Sequence, residues 1–226
     1  MPKKPRSPEE LAVIRANILH HALELINQGG FEGFSMRKLA RRLGVSVVTI
    51  YNYYKNKDEL YLAILTQGFD RLYTICQKAY GSVSSPHERL REMALAFVDF
   101  GFAQANFYNL MFTWHVPKFE DYVDTPLEGM ARVELETGLK VRTLFLDAMK
   151  EFVVQQHVAV DPEDLVFYFV LFFSMLHGFV AGNNNKLLSY IHDDPMELKA
   201  RMITFMMEKM VREIVSDHGG IKTDNA

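Results

Sequence analysis

The stretch from Ser35 to Leu60, SMRKLARRLGVSVVTIYNYYKNKDEL, decides the fold of this chain. Its apolar residues recur at helical spacing on either side of a tight Gly44-Val45-Ser46 turn, which predicts two short helices. Ser35 and Ser46 stand directly before these helices, where a hydroxyl group satisfies a free backbone N–H. Two helices joined by three residues are typical of a helix-turn-helix, whose second helix lies in the major groove of DNA.

The second of these helices is predicted to contact DNA bases. By their spacing, Val45, Ile50 and Tyr54 face inward, so the other side chains are left for the groove. Valine side chains can pack on thymine methyl groups, and Thr49 and Asn52 can hydrogen-bond base edges or phosphates. Basic residues at the starts of the neighbouring helices can hold the flanking phosphates. The predicted DNA-contacting set is Arg37, Lys38, Val47, Val48, Thr49, Tyr51, Asn52, Tyr53 and Lys57.

The distribution of charge supports DNA binding through the N-terminal end. The net charge of the chain is −3, but residues 1–60 carry ten Lys/Arg against six Asp/Glu. The remaining residues carry fifteen Lys/Arg against twenty-two Asp/Glu. Because phosphate attraction acts locally, a basic end on an acidic body favours DNA contact at that end only.

The rest of the sequence predicts an all-α protein. No useful stretch alternates like a strand, whereas helical spacing recurs along the 226 residues and predicts about nine helices. The first helix is predicted to end at Gly29-Gly30, and the small polar run Gly81–Pro86 is predicted to be a flexible linker. We therefore expect three parts, with boundaries at 1–56, 57–85 and 86–226.

The run from Gly30 to Leu60 resembles the DNA-binding domain of the TetR family of bacterial one-component repressors. The shared pattern stands here as Gly30-Phe31, Leu39-Ala40, Gly44-Val45-Ser46, Thr49-Ile50-Tyr51, Tyr53, Tyr54 and Lys57-Asp58-Glu59-Leu60. The resemblance covers about residues 10–65 and implies DNA contacts for every residue of the predicted set except Lys38. Val48 stands where the family often has Gly, Ala or Pro. We therefore expect thymine methyl groups and DNA shape to contribute much of the specificity.

The resemblance also implies that the C-terminal part binds a small hydrophobic molecule. The pattern Phe107-Tyr108-x-x-Met111-Phe112, followed by His177-Gly178, is similar to one subgroup of TetR-type C-terminal domains. An aromatic core with few polar anchors suits an apolar ligand, and plain core packing is the alternative for each ring. The predicted pocket residues are Phe97, Phe100, Tyr108, Phe112, Trp114, Phe145, Phe169, Phe173 and His177.

Homodimerisation is a further property that the resemblance implies. In this family the last two long helices, predicted here near 162–183 and 195–217, form a four-helix bundle with their copies. Methionines at helical spacing give the second helix a deformable apolar face, which suits either a dimer interface or the chain's own core. The predicted interface residues are Phe172, Phe179, Ile203, Met206, Met207, Met210 and Ile214.

The sequence lacks the motifs that are typical of enzymes, metal-binding proteins and disulfide-bonded proteins. The single Cys76 excludes an intramolecular disulfide, and no catalytic motif, phosphate-binding loop or helical histidine pair is found. Leu165–Gly182 is uncharged over 18 residues, but Ser174, His177 and the preceding carboxylates favour a buried helix over a membrane span. We expect no cofactor, no metal, no membrane partner and a cytoplasmic location.

The sequence therefore predicts a homodimeric transcriptional repressor. Its expected partners are a palindromic double-stranded DNA operator and a small hydrophobic or aromatic effector that releases the protein from it. A ligand-independent repressor and an activator of the same fold are the alternatives within regulation. A small-molecule carrier or enzyme with an appended helix-turn-helix is the alternative from another class.

Overall fold

The computed structural model describes residues 6–218. Within them lie nine α-helices and no β-strand, which confirms the predicted all-α fold. The helices are α1 (Pro8–Gly33), α2 (Met36–Arg42), α3 (Val47–Tyr51), α4 (Lys57–Gly81), α5 (Pro86–Ala103), α6 (Ala105–Tyr108), α7 (Glu128–Gln155), α8 (Pro162–Asn184) and α9 (Lys199–His218).

The chain divides into two compact units. The first comprises the chain up to Phe69 together with Asn109–Thr137, and the second comprises Asp70–Tyr108 together with the chain from Gly138 onward. Helices α4 and α7 therefore each contribute residues to both units. This division differs from the predicted parts, because a segment distant in sequence packs with the N-terminal helices.

Helix α1 begins at a complete capping box. The Glu10 N–H donates to Ser7 Oγ (3.2 Å), and the Ser7 N–H donates to Glu10 Oε2 (2.8 Å). The predicted stop near Gly30 is present as a break, because Gly30 has a φ of 72° and the helix resumes over residues 31–33. A positive φ costs glycine little, since it has no Cβ.

A Schellman turn separates α2 from α3. Gly44 has a φ of 66°, its N–H donates to Arg41 O (3.2 Å), and the Val45 N–H donates to Ala40 O (3.0 Å). Ser35 Oγ accepts from the Lys38 N–H at the start of α2, and Ser46 Oγ accepts from the Thr49 N–H at the start of α3. Both predicted caps are confirmed, and the turn fixes the direction in which α3 leaves it.

A cluster of phenols and carboxyls lies in the first unit beside the start of α4. The Tyr122 hydroxyl donates to Asp58 Oδ1 (3.2 Å), and the fully buried Tyr61 hydroxyl donates to Pro117 O (3.1 Å). Burial raises the pKa of Glu134, on α7, from 4.5 to about 7, against the opposing charge of Lys118. Glu134 therefore holds its proton far more readily than an exposed glutamate.

In the second unit, α5 lies against both α8 and α9. Its contact with α8 is close at Gly101, where an added Cβ would stand 2.4 Å from Val180 Cγ1. The Asn184 side-chain amide donates to the Gly101 carbonyl (3.0 Å) on the same side. A residue without a side chain is thus required at this crossing.

The predicted linker Gly81–Pro86 is contacted by Arg89. Arg89 Nε donates to Val83 O (3.2 Å), and its guanidinium lies 4.7 Å from the Tyr80 ring centroid. Arg89 also pairs with Glu151 on α7 (2.9 Å), which accepts a 2.6 Å hydrogen bond from the Tyr80 hydroxyl. A distant side chain therefore contacts this small polar segment, and its flexibility stays a prediction.

Two segments end or continue irregularly. Helix α3 stops at Tyr51, since the chain turns through Asn52 and Tyr53. After α6, residues Asn109–Thr113 form a π-helical turn in which the Trp114 N–H donates to Asn109 O (2.9 Å). The buried Asn109 Oδ1 has no hydrogen-bond partner among residues 6–218.

Gly101→Ala is expected to destabilise the fold by about 1–3 kcal/mol, because the added methyl group would overlap Val180. Gly129→Ala is the matched control, since nothing lies within 4 Å of the Cβ it would add in helix α7. Helix propensity makes that control neutral or stabilising by up to about 1 kcal/mol. Denaturant unfolding at one fixed protein concentration measures both, and equal stabilities would contradict the close packing.

Glu134→Gln is expected to change how the free energy of unfolding depends on pH. The folded-state pKa of about 7 lies above the ordinary 4.5, so the folded chain keeps a proton that the unfolded chain releases. The wild type should therefore lose stability relative to the variant as pH rises between these values. Unfolding at a series of pH values tests this, with the exposed Glu136→Gln on the same helix as control. A wild-type-to-variant difference that stays constant with pH would refute the assignment.

Candidate nucleic-acid interface

Helix α3 presents an exposed face made of side chains from the predicted set. Val48 is 66% exposed, Tyr51 is 48% exposed and Asn52 is also exposed. Ile50 and Tyr54 are buried, as predicted, and hold the helix on the first unit. Val45 was predicted to face inward but is 40% exposed, because it follows the left-handed glycine and turns away from the core.

Val47, Thr49 and Tyr53 are half-buried at the edges of this face. The Thr49 hydroxyl lies 2.9 Å from Ser46 Oγ, so it belongs to the hydrogen bonds that begin α3. A hydroxyl engaged in this way is less available to a base than the exposed Asn52 amide. Asn52 is therefore the leading candidate for a base-specific hydrogen bond.

The three predicted phosphate-binding cations have different surroundings. Lys38 Nζ donates to Gly33 O (2.6 Å), and Lys57 Nζ lies 4.3 Å from the Phe31 ring centroid. Lys57 also lies 3.9 Å from the exposed Glu32 carboxylate. Arg37 is exposed, and no ion pair or hydrogen bond holds its guanidinium within the part of the chain that the structure describes. Arg37 can thus meet a phosphate without losing an intramolecular contact.

Arg6 is a candidate that the sequence reasoning missed. Its guanidinium donates to the Tyr53 hydroxyl, which places Arg6 beside the end of α3. The only sequence signal was the basic character of the first six residues. Its pairing with a residue 47 positions later followed from the fold alone.

Some residues of α1 have the spacing of metal ligands but are held by an arginine. Ligand atoms of His20, His21 and Glu24 lie within 4.8 Å of one another. Arg42 donates to Glu24 Oε2, and hydrogen bonds from Arg42 and His21 lower the pKa of Glu24. A guanidinium at this position repels a cation, so the cluster stabilises the contact between α1 and α2.

The predicted pocket residues of the second unit form a packed aromatic cluster. Phe97, Phe100, Tyr108 and Phe145 are at most 4% exposed, and Phe97 makes edge contacts with the rings of Tyr108, Phe145 and Phe173. These residues fill their own space as a core does. They lie together in the core of the second unit, and their role in lining a ligand pocket stays a prediction.

The edge of this cluster contains its polar groups. His177 is half-buried, its Nδ1 lies 2.7 Å from the Tyr108 hydroxyl, and its ring stacks on Phe173 at an interplanar angle of 13°. Burial lowers the pKa of His177 below its ordinary value, so the imidazole is neutral near pH 7. Phe169 stands one turn before Phe173 and is also half-buried.

The other two predicted pocket residues belong to the first unit. Phe112 lies in the π-helical turn and meets the Phe69 ring edge to face, with ring centroids 5.6 Å apart. Trp114 follows that turn and is half-buried.

The predicted dimer-interface residues require a correction. In the single chain Phe172, Phe179, Ile203, Met206, Met207, Met210 and Ile214 are at most 7% exposed. They pack inside the second unit, and the small exposed part of Phe179 lines a groove at its surface. Their burial agrees with the alternative prediction, that these residues belong to the chain's own core.

A different face of the same helices is exposed and apolar. We call it the α8 stripe, and it consists of Val166, Phe167, Val170, Leu171 and Met175, which are 41–56% exposed. On α9, Phe205 is 60% exposed. Helix α8 is long and apolar enough to cross a membrane, but a single such helix is weak support for a membrane protein. The sequence could not separate this face from the buried one, because α8 is apolar all round.

Comparison with known proteins identifies two family regions. Residues 18–64 match the family described as bacterial regulatory proteins, tetR family, and residues 90–206 match the tetracyclin repressor-like C-terminal domain. The two matches together cover both the helix-turn-helix and most of the remaining helices.

Curated relatives match over part of their length. The transcriptional activator FasR of Mycolicibacterium smegmatis is 32% identical over 123 residues, which is 54% of this chain and 53% of FasR. The repressor KstR of the same organism is 33% identical over 79 residues, 35% of this chain and 39% of KstR. The class D tetracycline repressor of Escherichia coli is 35% identical over 83 residues, 37% of each chain. The chain thus spans about half or less of the length of these relatives.

Solved structures match over nearly the whole chain. A protein of unknown function from a Rhodococcus species has a TM-score of 0.69 at 21% identity, covering 95% of this chain and 98% of that one. The TetR family regulator PfmR of Thermus thermophilus has a TM-score of 0.64 at 18% identity, covering 84% and 97%. At these identities the likeness shows the fold alone. The C-terminal match spans half of the sequence, and together with the helix-turn-helix match it shows that this chain belongs to the TetR family of bacterial regulatory proteins.

Proposed function

We propose that this protein is a homodimeric transcriptional repressor that binds a palindromic DNA operator through helix α3. The exposed face of α3 is the observation that carries the proposal. Its Val48, Tyr51 and Asn52 side chains face solvent while Ile50 and Tyr54 anchor the helix from behind. In a dimer, two such helices about 34–36 Å apart meet successive major grooves. The chemistry of this face is mostly apolar, which suits thymine methyl groups and groove shape.

The α8 stripe is the proposed dimer interface. An uncharged row of large exposed side chains along one helix is costly in water and is typical of a surface that a partner covers. A twofold interface pairs the same surface on both copies, so one apolar stripe serves both. The α8 stripe thus replaces the interface predicted from the sequence, whose residues lie on the neighbouring, buried faces of α8 and α9.

The proposed effector is a small hydrophobic molecule that binds at the His177 edge of the aromatic cluster. The neutral imidazole of His177 offers a polar anchor beside the stacked Phe173 ring. Most of the cluster is packed, so a ligand must displace side chains to enter and thereby favour a different arrangement of the unit. The resulting loss of operator affinity can be no larger than the ligand's differential affinity for the two arrangements.

Two of the three relatives named above are repressors, which favours repression. Of these three, the activator FasR is matched over the longest stretch, so transcriptional activation is the second candidate. A reporter gene placed behind the operator separates the two, because deletion of the protein raises expression under repression and lowers it under activation. Either role places the protein in the cytoplasm, where the DNA is, and requires no catalytic activity.

Asn52→Ala is expected to weaken binding to the operator about tenfold more than binding to random DNA, because a base-specific hydrogen bond is lost. Arg37→Ala is expected to weaken both alike and to reduce the salt dependence by about one phosphate contact. Selection of bound fragments from a random DNA pool supplies the operator, and fluorescence anisotropy across salt concentrations measures both constants. Repeating the selection with metabolites from cell extract searches for the effector.

Matched controls for these variants lie in the second unit. Asn106→Ala and Arg142→Ala remove an exposed amide and an exposed guanidinium and are expected to leave both affinities unchanged. If Asn52→Ala lowers the affinity for operator and random DNA equally, Asn52 does not recognise a base. If the wild type enriches no DNA sequence from the random pool, the proposed function is wrong.

Val170→Glu is expected to raise the dimer dissociation constant at least about tenfold, because the interface would bury a carboxylate without a partner. Sedimentation velocity over a dilution series measures the constant. Val154→Glu is the control, since Val154 is 63% exposed on α7 and tolerates a charge without meeting the stripe. A dimer that withstands Val170→Glu would place its interface on another surface.

A further inference from the structure

The segment between α8 and α9 carries the most exposed aromatic residue of the described chain. We call residues 187–196 the arm. Tyr190 is 88% exposed and the adjacent Ile191 is 81% exposed. Two large apolar side chains in full contact with water mark a surface that another molecule covers.

Backbone hydrogen bonds fix the conformation of the arm and keep its side chains exposed. The Leu187 N–H donates to Gly182 O (2.8 Å), and the N–H groups of Ile191 and His192 both donate to Leu188 O (2.9 and 3.0 Å). Asp194 Oδ1 accepts from the Met196 N–H (3.0 Å) at the other end. The arm is therefore preorganised with Tyr190 outward, so ordering it on binding costs little entropy.

A groove of about 460 Å³ lies between the arm and α9. Phe179 and Pro195 are its buried residues, and the exposed Phe205 and Arg201 stand along it. Most of its lining is apolar, and the guanidinium of Arg201 is its strongest charge. A groove of this kind suits an aromatic ring whose face can meet a cation.

We propose that Tyr190 of one copy of this chain inserts into the groove of a second copy, so that two arms clasp the dimer. This inference rests on the proposed homodimer, which it extends beyond the α8 stripe. Tyr190 is absent from the lining of its own groove, as a residue must be if it is to fill the partner's. In a twofold dimer this exchange occurs twice, once in each direction.

Three observations favour a second copy as the occupant. First, Phe167, Leu171, Met175 and Phe179 follow one another at intervals of four residues on α8, so the stripe leads into the groove. Second, the arm carries the exposed carboxylates Asp193 and Asp194, which complement the charge of Arg201 across a self-pairing surface.

The third observation is the exposed area. The stripe with Phe205, Tyr190 and Ile191 comprises eight large side chains that are 41–88% exposed. At about 150–250 Å² for a large side chain, they expose on the order of 800 Å² per copy, which is what a stable dimer buries on each partner. Without the arm the stripe falls short of that area.

Replacement of both arm residues, Tyr190→Ser with Ile191→Ser, is expected to raise the dimer dissociation constant at least about tenfold, because two anchors of the interface are lost. Tyr190→Phe keeps the ring and is expected to stay within about twofold of the wild type, since the buried area is retained. Val154→Ser removes an apolar side chain that is 63% exposed on α7 and is the control. Sedimentation velocity over a dilution series measures all four proteins, and circular dichroism checks that each is folded.

An unchanged dissociation constant for the folded double variant would overturn the arm proposal. If Val170→Glu dissociates the same dimer, the homodimer itself stands and only the arm is excluded. If the wild type is a monomer at every concentration, the homodimer fails first. Cysteine cross-linking gives a direct readout. A short bismaleimide is expected to link the Tyr190→Cys, Met202→Cys double variant into a covalent dimer. The control variant with Val154→Cys in place of Tyr190→Cys is expected to give no covalent dimer. Absence of the covalent dimer from the Tyr190→Cys, Met202→Cys variant would count against insertion.

Discussion

The left-handed turn at Gly44 is the constraint on which the DNA-binding surface depends. Its φ of 66° lets the Val45 N–H reach back to Ala40 O, and Ser46 begins α3 at the next residue. The helix therefore leaves α2 in one direction only, with Ile50 buried and Val48 exposed. Any residue with a Cβ at position 44 would strain this backbone, so the orientation of the recognition helix rests on one glycine.

Helix α8 divides its apolar surface into a face for the chain and a face for a partner. Phe172, Leu176 and Val180 are spaced by four residues and point into the second unit. Leu171 and Met175, one position earlier, are rotated by about 100° and remain exposed. The close approach of α5 at Gly101 selects the buried face, because only there does a missing side chain make room for Val180.

Long-range side-chain contacts reach a segment whose composition suggests flexibility. Arg89 holds the Gly81–Pro86 run and joins it to Glu151 on α7, while Tyr80 at the end of α4 donates to the same carboxylate. The hydrogen bond from Tyr80 and the pairing with Arg89 lower the pKa of Glu151, so the carboxylate stays charged. This charged pair joins the end of α4 to α5 and α7. The arm between α8 and α9 is held instead by hydrogen bonds of its own backbone.

The sequence by itself determined the all-α fold, the caps at Ser35 and Ser46, the tight turn at Gly44 and the buried side of α3, because these follow from contacts within a few residues. Only the tertiary structure decided that Val45 is exposed, that the methionine row of α9 is core, and that Phe167 and Leu171 face outward. It also decided the pairing of Arg6 with Tyr53 and the exposure of Tyr190. These features depend on which distant helix covers a given face, and helical spacing alone leaves that choice undetermined on a helix that is apolar on every side.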